Sequence, residues 1–171
     1  SKEALRLIAS NGMISECSFV LGMPDETPAS IATTLALAKH YDPDFAHFLA
    51  IAPWPYSDLY ADVKDHIKVW DYSKYNLVTP IIAPDAMSLE EMNQAIIECY
   101  KDFYMWKVPR FAEEKDDFRR EYLLRSTRVM MTNSFLTKHM KKGMMPKDIE
   151  QYMEGAKRCP WGRLKKAAGF T

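Results

Sequence analysis

Hydrophobic and polar residues alternate with two different periods in the first third of the chain. Apolar residues recur at helical spacing over residues 2–10 and again over 28–41. The runs at 17–21 and 44–52 are short and almost wholly apolar, which favours strands buried on both faces. The order helix, strand, helix, strand with short connections predicts a right-handed unit of a parallel α/β sheet.

The second part of the chain has a pattern typical of helices. Residues 69–84 are irregular and rich in aromatic side chains. Ser88 and Glu91 have the spacing of a capping box, which predicts a helix start. Further helices are predicted from about 114 to 139 and from 145. The apolar stripe of the helix that follows Ser88 consists of Leu89, Met92, Ile96, Tyr100 and Phe103.

Composition describes an ordinary globular protein without a strong charge bias. The 171 residues are 47% hydrophobic and 27% charged, and 23 basic residues balance 23 acidic ones. A net charge of zero gives no general attraction to nucleic acid or to an anionic membrane. No apolar run reaches the roughly 20 residues of a membrane-spanning helix.

Cysteine and histidine usage argues against a disulfide framework or a metal site within this chain. The three cysteines are far apart, no C-x-x-C pair occurs, and the four histidines lack ligand spacing. This usage predicts a reducing, cytoplasmic environment. The chain begins without Met inside a helical pattern, which suggests a piece of a longer protein.

The segment SFVLGMPDET ends the first predicted strand abruptly. Ligands of parallel α/β proteins collect at the carboxyl ends of strands, and Gly22 lies at such an end. Asp25 and Glu26 follow it, just before the N-cap Thr27 and helical Pro28. These carboxylates could bind a ligand, although Gly, Pro and acids before a capped helix are also common turn chemistry.

The same segment resembles the fifth-strand motif of radical S-adenosylmethionine (SAM) barrels, G-x-I-x-G-x-x-E. Ser18, Val20, Gly22 and Asp25 occupy the four motif positions, and Glu26 lies next to the last. Ser18 and Asp25 depart from the motif. The resemblance implies a fragment of a partial TIM-type barrel in which this strand lines the adenosine of SAM.

Two further segments carry the resemblance over nearly the whole chain. Cobalamin-dependent radical SAM enzymes often follow their sixth strand with P-x-P-G-T-x-L-Y, and Pro53, Pro55, Leu59 and Tyr60 are in register with it. The residues from 70 to 107 and the predicted helical residues 117–131 are similar to the C-terminal region of the anaerobic magnesium-protoporphyrin IX monomethyl ester cyclases.

The resemblance implies three cofactors in the longer protein: SAM, a 4Fe-4S cluster and cobalamin. In that family a SAM-derived radical abstracts hydrogen from a porphyrin propionate, on the way to the fifth ring of bacteriochlorophyll. The cluster-binding C-x-x-x-C-x-x-C loop does not occur in this sequence. The chain alone is therefore expected to be inactive, with cofactor-binding candidates Ser18, Val20, Gly22, Asp25, Glu26 and Pro53.

The resemblance also implies a division of the chain and candidate substrate contacts. Residues 1–65 would be the last strand-helix units of the barrel and 66–157 a helical extension. Residues 158–171 lie outside the resemblance and are predicted to be a mobile tail, because they are basic and contain no acid. Trp54 and Tyr56 are the substrate candidates, because they follow a strand's carboxyl end. A related methyltransferase and a helical interaction module without catalysis remain alternatives.

For two groups of side chains outside the motifs, a structural role is favoured over ligand binding. His47 could bind the substrate magnesium, but a histidine satisfied in the core is the commoner case. The arginines of the 114–139 helix are interleaved with acids, which favours a salt-bridged face over propionate binding.

Exposed strand edges and an uncovered apolar face predict self-association of the chain, with Phe19 and Phe48 near the contact.

Overall fold

A computed structural model of the protein describes residues 2–133. The helix predicted from 145 and the basic tail lie outside these residues. The described chain divides into two compact units, one up to Tyr104 and one from Met105 onward. The elements are α1 (Lys2–Ser10), β1 (Glu16–Leu21), α2 (Pro28–Tyr41), β2 (Phe45–Ala50), α3 (Asp58–Val63), α4 (Leu89–Ala112) and α5 (Asp117–Asn133).

The ends of α2 and α4 form the caps that the sequence predicts. Thr27 and Ser30 exchange hydrogen bonds in a reciprocal capping box, and Asp42 ends α2 in the left-handed conformation with φ 54°. At α4 the Glu91 carboxylate accepts from the Ser88 backbone N–H at 2.8 Å, while Ser88 Oγ accepts from the Glu91 N–H at 3.2 Å. Local sequence therefore determines where these two helices begin.

The two strands pair in parallel, with Ser18 opposite His47 and Phe19 opposite Phe48. Within the described residues they form a sheet of two strands. β2 is largely buried, but on β1 every second residue, including Ser18 and Val20, is exposed. The prediction that β1 is buried on both faces is therefore wrong for residues 2–133. An apolar run in the sequence does not determine whether other elements pack on one face of the strand or on both.

Aromatic side chains cover the other face of the sheet, which we call the helix face. The Phe19 and Phe48 rings stack with centroids 5.6 Å apart. Tyr100 and Phe103 of α4 meet the Phe48 ring edge-on at 5.4 and 6.1 Å. Phe48 is only 1% exposed, so it cannot form the self-association contact that the sequence suggested. Among residues 2–133, the face without a cover is the opposite one.

The outer edge of β2 is closed by hydrogen bonds from other elements. The Tyr104 hydroxyl donates to the Ala46 carbonyl at 3.1 Å and accepts from the Ala46 N–H at 3.2 Å. The backbone of Phe48 bonds to the Tyr100 hydroxyl, and the Ala50 N–H donates to the Leu77 carbonyl at 2.9 Å. Alternate residues of β2 are thus satisfied without a third strand on that side.

The predicted irregular segment after α3 packs into a second apolar cluster. Short 3₁₀ turns at Lys64–His66 and Tyr72–Lys74 interrupt it, and an isolated bridge pairs Ile67 with Ile82. Leu77 has a positive φ of 63°. The buried members of this cluster are Ala52, Val63, Ile67, Tyr75, Ile81 and Ile82.

In the second unit, α5 begins at Asp117, three residues after the predicted start, and its predicted end lies outside the described residues. Its arginines form ion pairs, as their spacing predicts. Arg119 bonds to Glu114 at 3.1 Å and Arg125 to Glu121 at 2.7 Å. The salt-bridged interpretation of this helix is confirmed for these pairs.

Candidate functional site

The carboxyl ends of β1 and β2 lie side by side and lead into two turns. The Ile51 N–H donates to the Leu21 carbonyl at 2.8 Å, which extends the pairing just past the strands. Residues 22–27 form the first turn and 53–57 the second. The sequence candidates at these two turns are therefore brought to one end of the sheet.

The backbone conformation at position 22 explains why a glycine occurs there. Its φ of +97° is a conformation that residues with a Cβ rarely adopt, and the residue is buried. A Cβ at this position would contact Ile51 Cγ2 at 3.6 Å and Met92 Cε at 3.7 Å, which are ordinary distances. The glycine is thus needed for the turn, and a cofactor contact at Gly22 stays a prediction.

The two neighbouring carboxylates have different surroundings. Glu26 accepts from the Gly22 N–H at 3.1 Å and from the Ser30 hydroxyl, so both of its oxygens stabilise the turn. Asp25 is exposed. If this turn presents a carboxylate to a ligand, the geometry favours Asp25, while Glu26 maintains the turn's shape.

The face opposite the helix face, which we call the open face, carries the remaining polar candidates. Val20 is 55% exposed there, next to exposed Ser18. His47 lies on the same face, and its Nε2 is 2.5 Å from Glu16 Oε1. The side chains of His47 and Glu16 are 30% and 62% exposed. The interpretation of His47 as a core histidine is therefore wrong.

Sequence reasoning missed Glu16 as the partner of His47. Alternation along the two strands could have found it, because Glu16, Ser18 and Val20 share one face of β1. In the parallel register this face continues through His47 on β2. The register itself, however, comes from tertiary pairing.

The second turn presents an aromatic pair. Pro53 is buried, so it has no open surface for a ligand in this structure. Trp54 packs against the second apolar cluster and stacks on Tyr56, with ring centroids 6.4 Å apart and planes 13° apart. Tyr56 is 86% exposed, and Ser57 Oγ stabilises the turn by donating to the Trp54 carbonyl at 2.7 Å.

Burial changes the ionisation of two side chains of α4. The pKa of the Cys99 thiol is raised to about 12, chiefly by burial and further by the nearby carboxylates of Asp102 and Glu98. Burial also raises the pKa of Tyr104 well above its usual value, against the opposing effect of its hydrogen bond to Ala46. Both groups are therefore neutral at physiological pH and unsuited to act as nucleophile or base.

The described range 2–133 contains neither a metal-binding cluster nor a membrane-spanning helix. No group of three or more His, Cys, Asp or Glu side chains there could hold a metal ion. None of the helices in that range is long and apolar enough to cross a membrane.

Similarity to curated proteins covers most of the chain. It is 35% identical over 136 residues to the anaerobic magnesium-protoporphyrin IX monomethyl ester cyclase of Rubrivivax gelatinosus, covering 79% of this chain and 24% of that protein. The cyclase of the same name from Cereibacter sphaeroides is 36% identical over 125 residues, 72% of this chain and 20% of that protein.

A third similar protein has a different name. An uncharacterized methyltransferase of Pyrococcus horikoshii is 27% identical over 107 residues, 61% of this chain and 23% of that protein. No protein-family model matches the chain. The chain thus spans about a quarter of the length of the curated relatives that it matches. These similarities identify it as a relative of the anaerobic magnesium-protoporphyrin IX monomethyl ester cyclases.

Proposed function

We propose that this chain is the C-terminal part of a radical SAM oxidoreductase that forms the fifth ring of magnesium-protoporphyrin IX monomethyl ester in bacteriochlorophyll biosynthesis. The observation that carries the proposal is the 35% identity over 136 residues to a cyclase of that name. In this proposal the division at residues 65 and 157 separates barrel, helical extension and tail.

The open face supports this proposal, because it resembles one wall of a binding cavity. Ser18 is small and polar, Val20 is apolar, and both are exposed on β1, with Val20 near the carboxyl end where ligands of α/β proteins collect. Val20 would pack against a flat nucleoside, and Ser18 would hydrogen-bond to it. Tyr56, exposed on the neighbouring turn, would contact the macrocycle.

The residues of this chain suit SAM but not the 4Fe-4S cluster. The open face suits one side of SAM, whereas the chain has no C-x-x-x-C-x-x-C loop to hold a 4Fe-4S cluster. The cluster would belong to the rest of the longer protein, and the chain alone would be inactive. Cobalamin rests on the resemblance of the 53–60 segment alone and is left out of the proposal.

The bound cofactors would supply the radical chemistry, and the chain would supply position and exclusion of water. Val20 and the aromatic pair of Trp54 and Tyr56 would keep water from one side of the reacting propionate. The Glu26 carboxylate, bonded to Gly22 and Ser30, would keep the turn rigid beneath the nucleoside.

Product analysis tests the reaction. The longer protein would be incubated anaerobically with SAM, a reductant and magnesium-protoporphyrin IX monomethyl ester, and the pigment analysed by mass spectrometry. A product that has lost hydrogen, gained oxygen and contains the fifth ring supports the proposal. A product that has gained a methyl group would contradict the proposal and favour a methyltransferase. A methyltransferase is the second candidate function because of the similarity to the Pyrococcus protein.

A matched pair of variants tests the site. Val20→Asp places a charge on the open face, whereas Leu37→Asp places one on α2 at a residue of similar exposure, 55% against 42%. SAM binding by the longer protein should weaken by about 10-fold or more in Val20→Asp, because about 1.4 kcal/mol of binding energy is one factor of ten. Equal binding by both variants would remove the open face from the SAM site.

A further inference from the structure

The Glu16–His47 pair joins the two strands on the open face. Glu16 begins β1 and His47 lies in the middle of β2, and the Oε1–Nε2 distance is 2.5 Å. Neither residue belongs to the turns or to the motifs that the sequence resemblance uses. The pair has no evident structural need, since both side chains are partly exposed.

The chemistry of the pair determines which ring nitrogen can bind a ligand. An ionised carboxylate only accepts hydrogen bonds, so Nε2 of His47 must carry the proton it donates to Glu16. In the neutral ring, Nδ1 then has the free lone pair. Among residues 2–133, no hydrogen bond to Nδ1 is formed.

An imidazole oriented by a carboxylate is the usual form of a histidine that binds a metal. The carboxylate fixes the tautomer and the ring orientation and raises the basicity of the other nitrogen. The imidazole is accessible, because the His47 side chain is 30% exposed and the residue opposite it on β1 is the small Ser18.

We infer that His47 supplies an axial nitrogen ligand to the magnesium of a metalloporphyrin substrate, with Glu16 as the residue that positions it. The inference rests on the proposed function, which gives the substrate. A porphyrin occupies four positions of its metal in one plane and leaves the axis free, the position that histidine takes on haem iron. The metal is thus part of the substrate and needs no cluster of protein ligands.

Binding spectra of the longer protein test the inference. Magnesium-protoporphyrin IX monomethyl ester and its metal-free form would each be titrated, with absorption spectra recorded. We expect the bound magnesium porphyrin to show the band shift of an axial nitrogen ligand. His47→Ala should lose that shift and weaken magnesium-porphyrin binding by about 10- to 100-fold, the usual cost of disturbing a metal's ligand shell. Metal-free porphyrin should bind both proteins alike.

Three controls separate ligation from folding. His40→Gln changes an exposed histidine at the end of α2 and should leave the spectrum unchanged. Added imidazole should restore the shifted band in His47→Ala. Glu16→Gln should weaken magnesium-porphyrin binding by about 10-fold, and Glu16→Asp should recover part of it.

The outcomes distinguish the inference from the proposed function. If neither porphyrin binds, the proposed function fails and the inference with it. If both porphyrins bind equally and His47→Ala changes neither affinity nor spectrum, the function stands and His47 is not the ligand. An equal loss of both porphyrins in His47→Ala, without rescue by imidazole, would also overturn the inference, because it would show a packing role.

Discussion

The Tyr104 hydroxyl bonds to both backbone groups of Ala46, at 3.2 Å to its nitrogen and 3.1 Å to its oxygen. At this position a side chain of α4 thereby takes the place of a neighbouring strand, as Tyr100 and the Leu77 carbonyl do further along β2. Tyr104 is only 2% exposed, so water cannot easily take over these bonds. The edge is closed on this side, and the open face, with Val20 and His47, is left as the sheet's accessible surface.

Tyr104→Phe should destabilise the protein by about 1–3 kcal/mol, because it leaves a buried donor and acceptor of Ala46 unpaired. Urea denaturation of the variant and the parent measures the difference. Tyr56→Phe, which removes a hydroxyl from a side chain that is 86% exposed, should change the stability by less than about 0.5 kcal/mol. Equal losses in the two variants would show that the edge bonds contribute nothing.

Stability should fall as the pH rises above about 9. The pKa of Cys99 is raised from 9.0 to about 12 and that of Tyr104 is raised above 10.0, so both release protons more readily when unfolded. The stabilisation is complete below the unfolded pKa and is lost as pH rises towards the folded one. Denaturation at several alkaline pH values should give a shallower decline for Cys99→Ala than for the parent. An identical slope would contradict the thiol's contribution.

Ser30→Ala should lower the stability by about 1–2 kcal/mol, because it removes half of the α2 capping box. Ser30 Oγ also donates to Glu26, so the first turn should loosen with the helix end. Thr33→Ala, three residues along the same helix, removes a hydroxyl that bonds only to the Ala29 carbonyl and should be nearly neutral. Hydrogen exchange at the Gly22 and Thr27 amides would report the loosening; unchanged protection would refute it.

The chain by itself should associate as its concentration rises, through the open face. Light scattering would show a mass that increases with concentration. Val20→Asp should reduce this increase and Leu37→Asp should not, because charge opposes association only at the contact. A constant monomer mass for the unmodified chain would contradict the prediction.

Local sequence determined both ends of α2 and the start of α4. Thr27 with Ser30, and Ser88 with Glu91, satisfy backbone groups within a few residues, and the Asp42 N–H donates to the Ala38 carbonyl just before Pro43. These helix ends therefore depend little on distant parts of the chain. The apolar stripe of α4 was likewise predicted from the sequence: Met92, Ile96, Tyr100 and Phe103 are buried, and Leu89 at the helix start is half-buried. The family resemblance also came from residues alone.

The tertiary structure decided which faces are covered and which side chains meet. The run 17–21 is equally compatible with one or two buried faces, because burial depends on what packs from elsewhere. Tyr104 meets Ala46 across 58 positions of sequence and Glu16 meets His47 across 31. Such pairs depend on strand register and helix packing, which no local pattern encodes. For that reason the candidate ligand His47 was visible in the sequence, but its carboxylate partner and its exposure were not.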